Sequence, residues 1–238
     1  MTNVIDDAVT DATTLVSAGF PALMVENFGD VPFHADKVPP VTVAAMTTAI
    51  SAIQNVCSVP IGVNVLRNDA LAAVGIAAAT GASFVRINVL TGMMYTDQGP
   101  IVGKADEVLR AISELGIDVS VWADVMVKHA TPPPGMDPVQ SALDTIERGL
   151  ADAVIISGSG TGFEPNLEEA HLIRSAIPKQ VRLVVGSGAT VDNLGGLATV
   201  ADTVIVGSSL KPDSNPQMQV DSLKAEQFVE AATKQGMI

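Results

Sequence analysis

Charged side chains are sparse in this sequence, and a few of them lie in or at the ends of apolar runs. PALMVEN (21–27) carries Glu26, WADVMVK (122–128) carries Asp124 and Lys128, IGVNVL (61–66) carries Asn64, and FVRINVL (84–90) carries Arg86 and Asn88. A carboxylate drawn out of water has a raised pKa and can serve as general acid or base, a role that suits Glu26 and Asp124. Lys128 can neutralise an anionic substrate or, with a depressed pKa, form a Schiff base. Asn64, Arg86 and Asn88 would then orient the substrate. The competing reading is structural: Arg86 pairs with Asp124 or Glu26 inside the fold, because buried charges need partners, and the asparagines are hydrogen-bonding spacers.

A second group of residues offers anion binding. Three successive apolar runs end in small-residue turns, SGSGTG (157–162), GSGAT (186–190) and GSS (207–209). Glycine lets backbone N–H groups approach an anion closely, and serine adds hydroxyl donors. Gly186, Ser187, Gly188, Gly207, Ser208 and Ser209 are therefore the expected phosphate-binding residues, a placement known after the last two strands of (β/α)8 barrels.

The elements that must position these groups are legible as a rhythm. Seven short, β-branched runs, PALMVEN, PIGVNVL, SFVRINVL, DVSVWADVMV, DAVIISG, RLVVGSG and DTVIVGS, alternate with helically spaced segments such as ADEVLRAISELG and LEEAHLIRSAI. That pattern predicts βα units around a parallel sheet. A small residue closes most helices, as in SAG, ATGAS, ELGI and RGLA, where glycine tolerates the left-handed backbone that stops a helix. Alternation along the runs points Glu26, Asn64, Arg86, Asn88, Trp122, Asp124, Met126 and Lys128 inward, with Val63, Val85, Val121, Val125 and Val127 toward helices.

The natural closed form is a (β/α)8 TIM-type barrel, read as one domain over 1–238. The sequence opens on a helix, VIDDAVTDATTLVSAG, with no room for a strand ahead of it, so either its start lies downstream of a first strand or the gap between the first and last runs is filled otherwise. An open gap would leave two sheet edges, and these predict a homo-oligomer.

Composition narrows the function classes. With 26 acidic against 13 basic residues the net charge is −13, which repels nucleic acid. No stretch is long and apolar enough for an integral membrane segment, and no signal peptide is visible, so a cytoplasmic protein is expected. Cys57 stands alone, and His34, His129 and His171 share no metal-ligand spacing. No metal-ligand cluster is expected; Asp97 in MMYTDQGP either orders its loop or joins Asp30 or Asp124 in holding a divalent cation. The cofactor stays open.

VENFGDVPF, VPPVTVAAMT, IGVNVLRNDALAA, FVRINVLTG, WADVMVKHA, SGSGTG, VGSGAT and VGSSLK resemble, in order and spacing, the BtpA/SgcQ family from about residue 4 to 230. The resemblance implies a ribulose-phosphate-binding type of barrel that takes a phosphorylated small molecule, a sugar phosphate or nucleotide, and acts on it as an isomerase, lyase or hydrolase. It also implies an alternative of another class, a non-catalytic assembly or stability factor of the kind associated with photosystem I biogenesis. Two departures stand out. The opening strand with a histidine- and proline-rich loop is absent from this sequence, and Ser214 stands in KPDSNP where relatives tend to have glycine.

Overall fold

A computed structural model describes residues 2–158, 160 and 164–238. In chain order the elements are α1 (Thr2–Ala18), β1 (Leu23–Glu26), α2 (Pro40–Gln54), β2 (Ile61–Asn64), α3 (Ala70–Thr80), β3 (Phe84–Ile87), β4 (Met93–Thr96) and β5 (Gly99–Val102). They continue with α4 (Ala105–Leu115), β6 (Ser120–Val125), β7 (Ala130–Thr131), α5 (Pro138–Glu147), β8 (Ala153–Ile156), α6 (Leu167–Ala176), β9 (Arg182–Val185), α7 (Leu194–Leu197), β10 (Thr203–Val204) and α8 (Ser222–Lys234). Two short 3-10 turns, Ser208–Leu210 and Pro212–Ser214, precede α8.

The seven apolar runs form one parallel sheet in the order β1-β2-β3-β6-β8-β9-β10. Its central strands β2, β3 and β8 are buried on both faces, which is why they read as near-continuous apolar segments. The outward face packs Ile61, Val63, Val85 and Val121 against the helices on one side of the molecule, and Val125, Val154, Leu183 and Val185 on the other. Helix starts are fixed by side-chain caps: Asp69 accepts from the Ala72 amide, Asp137 from Val139 and Gln140, Asn166 from Glu168 and Glu169, and Asp221 from Leu223 and Lys224. Each cap is worth roughly 1 kcal/mol.

Inside the curl lies an apolar floor of Phe84, Trp122, Ala153, Ile155 and Val184, joined by Met24 from one end of the sheet and Ile205 from just past the other. A flat sheet could not bring those two together. Phe84 stacks on Trp122 with ring centroids 4.3 Å apart. Gly62, the register partner of Phe84, makes room for that ring, since a Cβ there would lie 2.1 Å from it. Two residues up the strands, toward their C-terminal ends, the interior turns polar.

The sheet is open between β1 and β10, the two strands at its ends. Outside the opening, α1 packs on both α2 and α8. Leu15 of α1 touches the apolar cluster on either side, so the helical layer is continuous where the strands are not.

Four local readings are corrected. Met126 does not point inward; its φ of 57° ends β6, and its side chain packs with the outer cluster. Val127 consequently leaves the helix-facing layer and packs with Val89, Met94 and Ile101. In RGLA the left-handed residue is Leu150 (φ 53°), whereas Gly149 is required because a Cβ would lie 2.6 Å from the Thr145 carbonyl oxygen. MMYTDQGP is not a plain loop: β4 and β5 form a hairpin, and β7 adds a third antiparallel strand.

Candidate functional site

Arg86 organises the polar layer. Its guanidinium, 2% exposed, donates from Nε and Nη2 to the two Asp124 oxygens at 2.8 Å each, and from Nη1 to Glu26 Oε1 at 3.3 Å. Burial works against this charge, but the two carboxylates more than offset it, and the pKa of Arg86 is raised. Asp124 also accepts from Asn88 Nδ2 (3.3 Å) and Ser157 Oγ (3.5 Å). Asn64 donates to the Arg86 carbonyl (2.9 Å) and to Asn88 Oδ1 (3.0 Å), which fixes its orientation. Its own Oδ1 is buried without a hydrogen-bond partner among the described residues. Such an orphan acceptor is costly unless something binds it.

This layer opens into a cavity of about 270 Å³, lined on the polar side by Glu26, Asn64, Arg86 and Asn88 and on the apolar side by Phe28 and Phe33. Glu26 is the more accessible carboxylate: its side chain is 21% exposed, against 0% for Asp124. Lys128 also lines the cavity, its ammonium 5.8 Å from the Phe28 ring centroid. Burial lowers its pKa, and the Glu26 charge opposes that shift. The left-handed residues Met126 and His129 (φ 57° and 55°) flank it, so a break in the strand, and not alternation along it, brings Lys128 to the mouth.

Arg67 is a cavity residue that sequence reasoning missed. Alternation along β2 ends at Leu66, whose amide and carbonyl are clamped by the side chain of Asn27 at 2.7 and 3.2 Å. The chain then turns, held by Asn68 bridging to both backbone groups of Val89 and by the Arg67 amide donating to the His34 carbonyl. The available signal was a lone arginine directly after a strand in a chain with 13 basic residues. Asp97 is at the tip of the β4–β5 hairpin and also lines the cavity. No group of three or more His, Cys, Asp or Glu side chains among the described residues is arranged to hold a metal.

The glycine turns sit at the same end of the sheet. Residues 159, 161 and 162 of SGSGTG lie outside the described residues. Gly186 abuts the polar layer, because a Cβ there would lie 3.0 Å from Arg86 Nη2 and from Ser157 Oγ. The Gly186 amide is used by the Ile156 carbonyl, whereas the amides of Ser187, Gly188 and Gly207 donate to no described residue. Ser187 is buried at 8% exposure. Ser209 donates its hydroxyl to the Ala189 carbonyl (2.8 Å), tying the two turns together, and so is not a free donor. None of these turn residues lines the 270 Å³ cavity itself; the contact is through Gly186 and Arg86. In KPDSNP, Ser214 adopts a left-handed φ of 53°, the backbone a glycine would take there.

Known proteins share this chain's sequence and fold. The family described as BtpA matches residues 1–234. The photosystem I biogenesis protein BtpA of Synechocystis sp. is 47% identical over 231 residues, covering 97% of this chain and 80% of that protein. A Thermococcus kodakarensis protein is 46% identical over 232 residues (97% and 86% covered), and the sgc region protein SgcQ of Escherichia coli is 28% identical over 228 residues (95% and 84%). Among solved structures, thiamine phosphate pyrophosphorylase from Pyrococcus furiosus superposes with a TM-score of 0.64 at 13% identity, over 95% of this chain and 90% of that one. N-(5'-phosphoribosyl)anthranilate isomerase from the same organism gives 0.61 at 17% identity, over 94% and 93%. At such identities the likeness is one of fold, a TIM-barrel type.

Proposed function

The chain belongs to the BtpA family, and from that premise we propose that it binds a phosphorylated small molecule at the C-terminal mouth of its sheet and acts on it by acid/base chemistry. The observation that carries this reading is the polar layer above the apolar floor, where Glu26, Asn64, Arg86 and Asn88 line one cavity. Solved structures of like fold include enzymes named for phosphorylated compounds, which supports the choice of substrate class.

In this reading Glu26 is the acid/base group and Asp124 positions it through Arg86. Glu26 exchanges the proton with ligand, because it is accessible and holds Arg86 through one long contact. Asp124 keeps Arg86 charged and in place. Asn64, Arg86 and Asn88 orient the ligand, Lys128 balances its charge, and the turns at Gly186–Gly188 and Gly207–Ser209 take the phosphate through backbone N–H groups. Thermal-shift screening with millimolar sugar phosphates and nucleotides tests binding. Glu26→Gln in a hit's assay should keep the binding shift while lowering turnover by about 10²-fold or more. Turnover unchanged by Glu26→Gln would remove its proposed role.

A second reading, a non-catalytic assembly or stability factor of the photosystem I kind, is favoured by the Synechocystis relative, a photosystem I biogenesis protein. It predicts that a Glu26→Gln, Lys128→Gln chain still complements loss of the native gene. Failure of that folded variant to complement would count against it.

A further inference from the structure

Arg67 and Lys128 at the mouth make no ion pair with any carboxylate among the described residues. Arg67 is 4% exposed, yet no carboxylate of the described residues lies within ion-pair distance of it. Of its five N–H donors, one has an acceptor, the Lys128 carbonyl, to which Nη2 donates. Lys128 forms no ion pair among the described residues either, and its ammonium faces the same cavity. Arg86, one strand over, is by contrast fully matched by Asp124 and Glu26.

A buried guanidinium without a counter-anion bears a large desolvation cost. Burial accordingly lowers the pKa of both Arg67 and Lys128, with Asp124 and Asp97 offsetting this at Arg67 and Glu26 at Lys128. The loop is nevertheless built to hold Arg67 there, through Asn27, Asn68 and the His34 carbonyl. These bonds fix a forked, planar donor and a point charge on one wall of the cavity, an arrangement that matches a carboxylate.

We propose that Arg67 and Lys128 form a second anion subsite that holds a carboxylate, so that the ligand of this mouth carries a carboxylate as well as its phosphate. The inference rests on the phosphorylated-ligand reading above. The two subsites occupy different arcs of the mouth, since Arg67 and Lys128 follow β2 and β6 while the glycine turns follow β9 and β10. The apolar wall of Phe28 and Phe33 lies beside the carboxylate subsite.

Calorimetric titration of the full chain with 2-phosphoglycolate, glycerol 1-phosphate and malonate tests this. The carboxylate-bearing phosphate should bind about tenfold or more tighter than glycerol 1-phosphate. Arg67→Gln should abolish that advantage while leaving glycerol 1-phosphate unchanged, Arg67→Lys should retain part of it, and Lys128→Gln should bring the two affinities together even where it weakens both. Thermal melts check that each variant folds; if Arg67→Gln does not, Lys128→Gln carries the same comparison. Equal affinities in the native chain, or an advantage that survives both substitutions, would overturn the subsite. Malonate binding that needs Arg67 and Lys128, with no phosphate-bearing probe bound, would uphold the subsite and overturn the phosphate reading. No binding by any probe would overturn both.

Discussion

Asp124 and Glu26 both face Arg86, yet they are held differently. Asp124 gives both oxygens to the guanidinium and lies fully buried, whereas Glu26 makes one 3.3 Å contact and keeps a path to the cavity. Removing the buried partner of an ion pair leaves a charge uncompensated, so Asp124→Asn should lower stability by about 3–5 kcal/mol. Glu26→Gln should cost far less, because its side chain reaches water. Urea unfolding of the two variants measures the difference; equal losses would contradict the division of roles. The sequence already held both alternatives for Arg86, ion pair and ligand contact. Spacing could not choose between them, since it does not say which carboxylate is deeper.

At the scale of elements, alternation was a good guide along the straight part of each strand and failed where a strand ended. Asn64, Arg86, Asn88 and Asp124 face inward as a period of two requires. Met126 and Arg67 do not follow it: a left-handed residue turns the chain at the first, and the Asn27 clamp on Leu66 does so before the second. Both lie in loops whose shape depends on contacts distant in sequence. The β4–β5 hairpin was also hidden, since its short strands contain glycine and proline and read as a turn. The turn after β9 gives an element-level prediction. Gly186→Ala would place a Cβ 2.4 Å from Ile155 Cγ2 and 3.0 Å from Arg86 Nη2. Overpacking of this kind costs roughly 1–3 kcal/mol. It should also displace Arg86 from Asp124, so Gly186→Ala is expected to weaken ligand binding beyond its effect on the melting temperature. Unchanged affinity would mean that the turn and the polar layer are independent.

For the molecule as a whole, seven parallel strands curl around an apolar floor, and α1 bridges the opening on the outside between α2 and α8. The strand rhythm made this architecture legible, because the runs are short, β-branched and mostly apolar and alternate with helically spaced segments. The way the helical layer spans the opening was not legible, since it depends on Leu15 meeting both apolar clusters. Among the described residues the outer edges of β1 and β10 pair with no further strand, and such edges favour pairing with another chain. Multi-angle light scattering should accordingly find a dimer or larger species; a monodisperse monomer at micromolar concentration would contradict that expectation. The central claim, a phosphate held by the late glycine turns beside Glu26, is tested most directly by a crystal structure with glycerol 1-phosphate bound. The account predicts a phosphoryl group within hydrogen-bond distance of the Ser187, Gly188 or Gly207 amides, with the rest of the ligand toward Glu26. A phosphoryl group seated elsewhere, or no ligand at millimolar concentration, would contradict it.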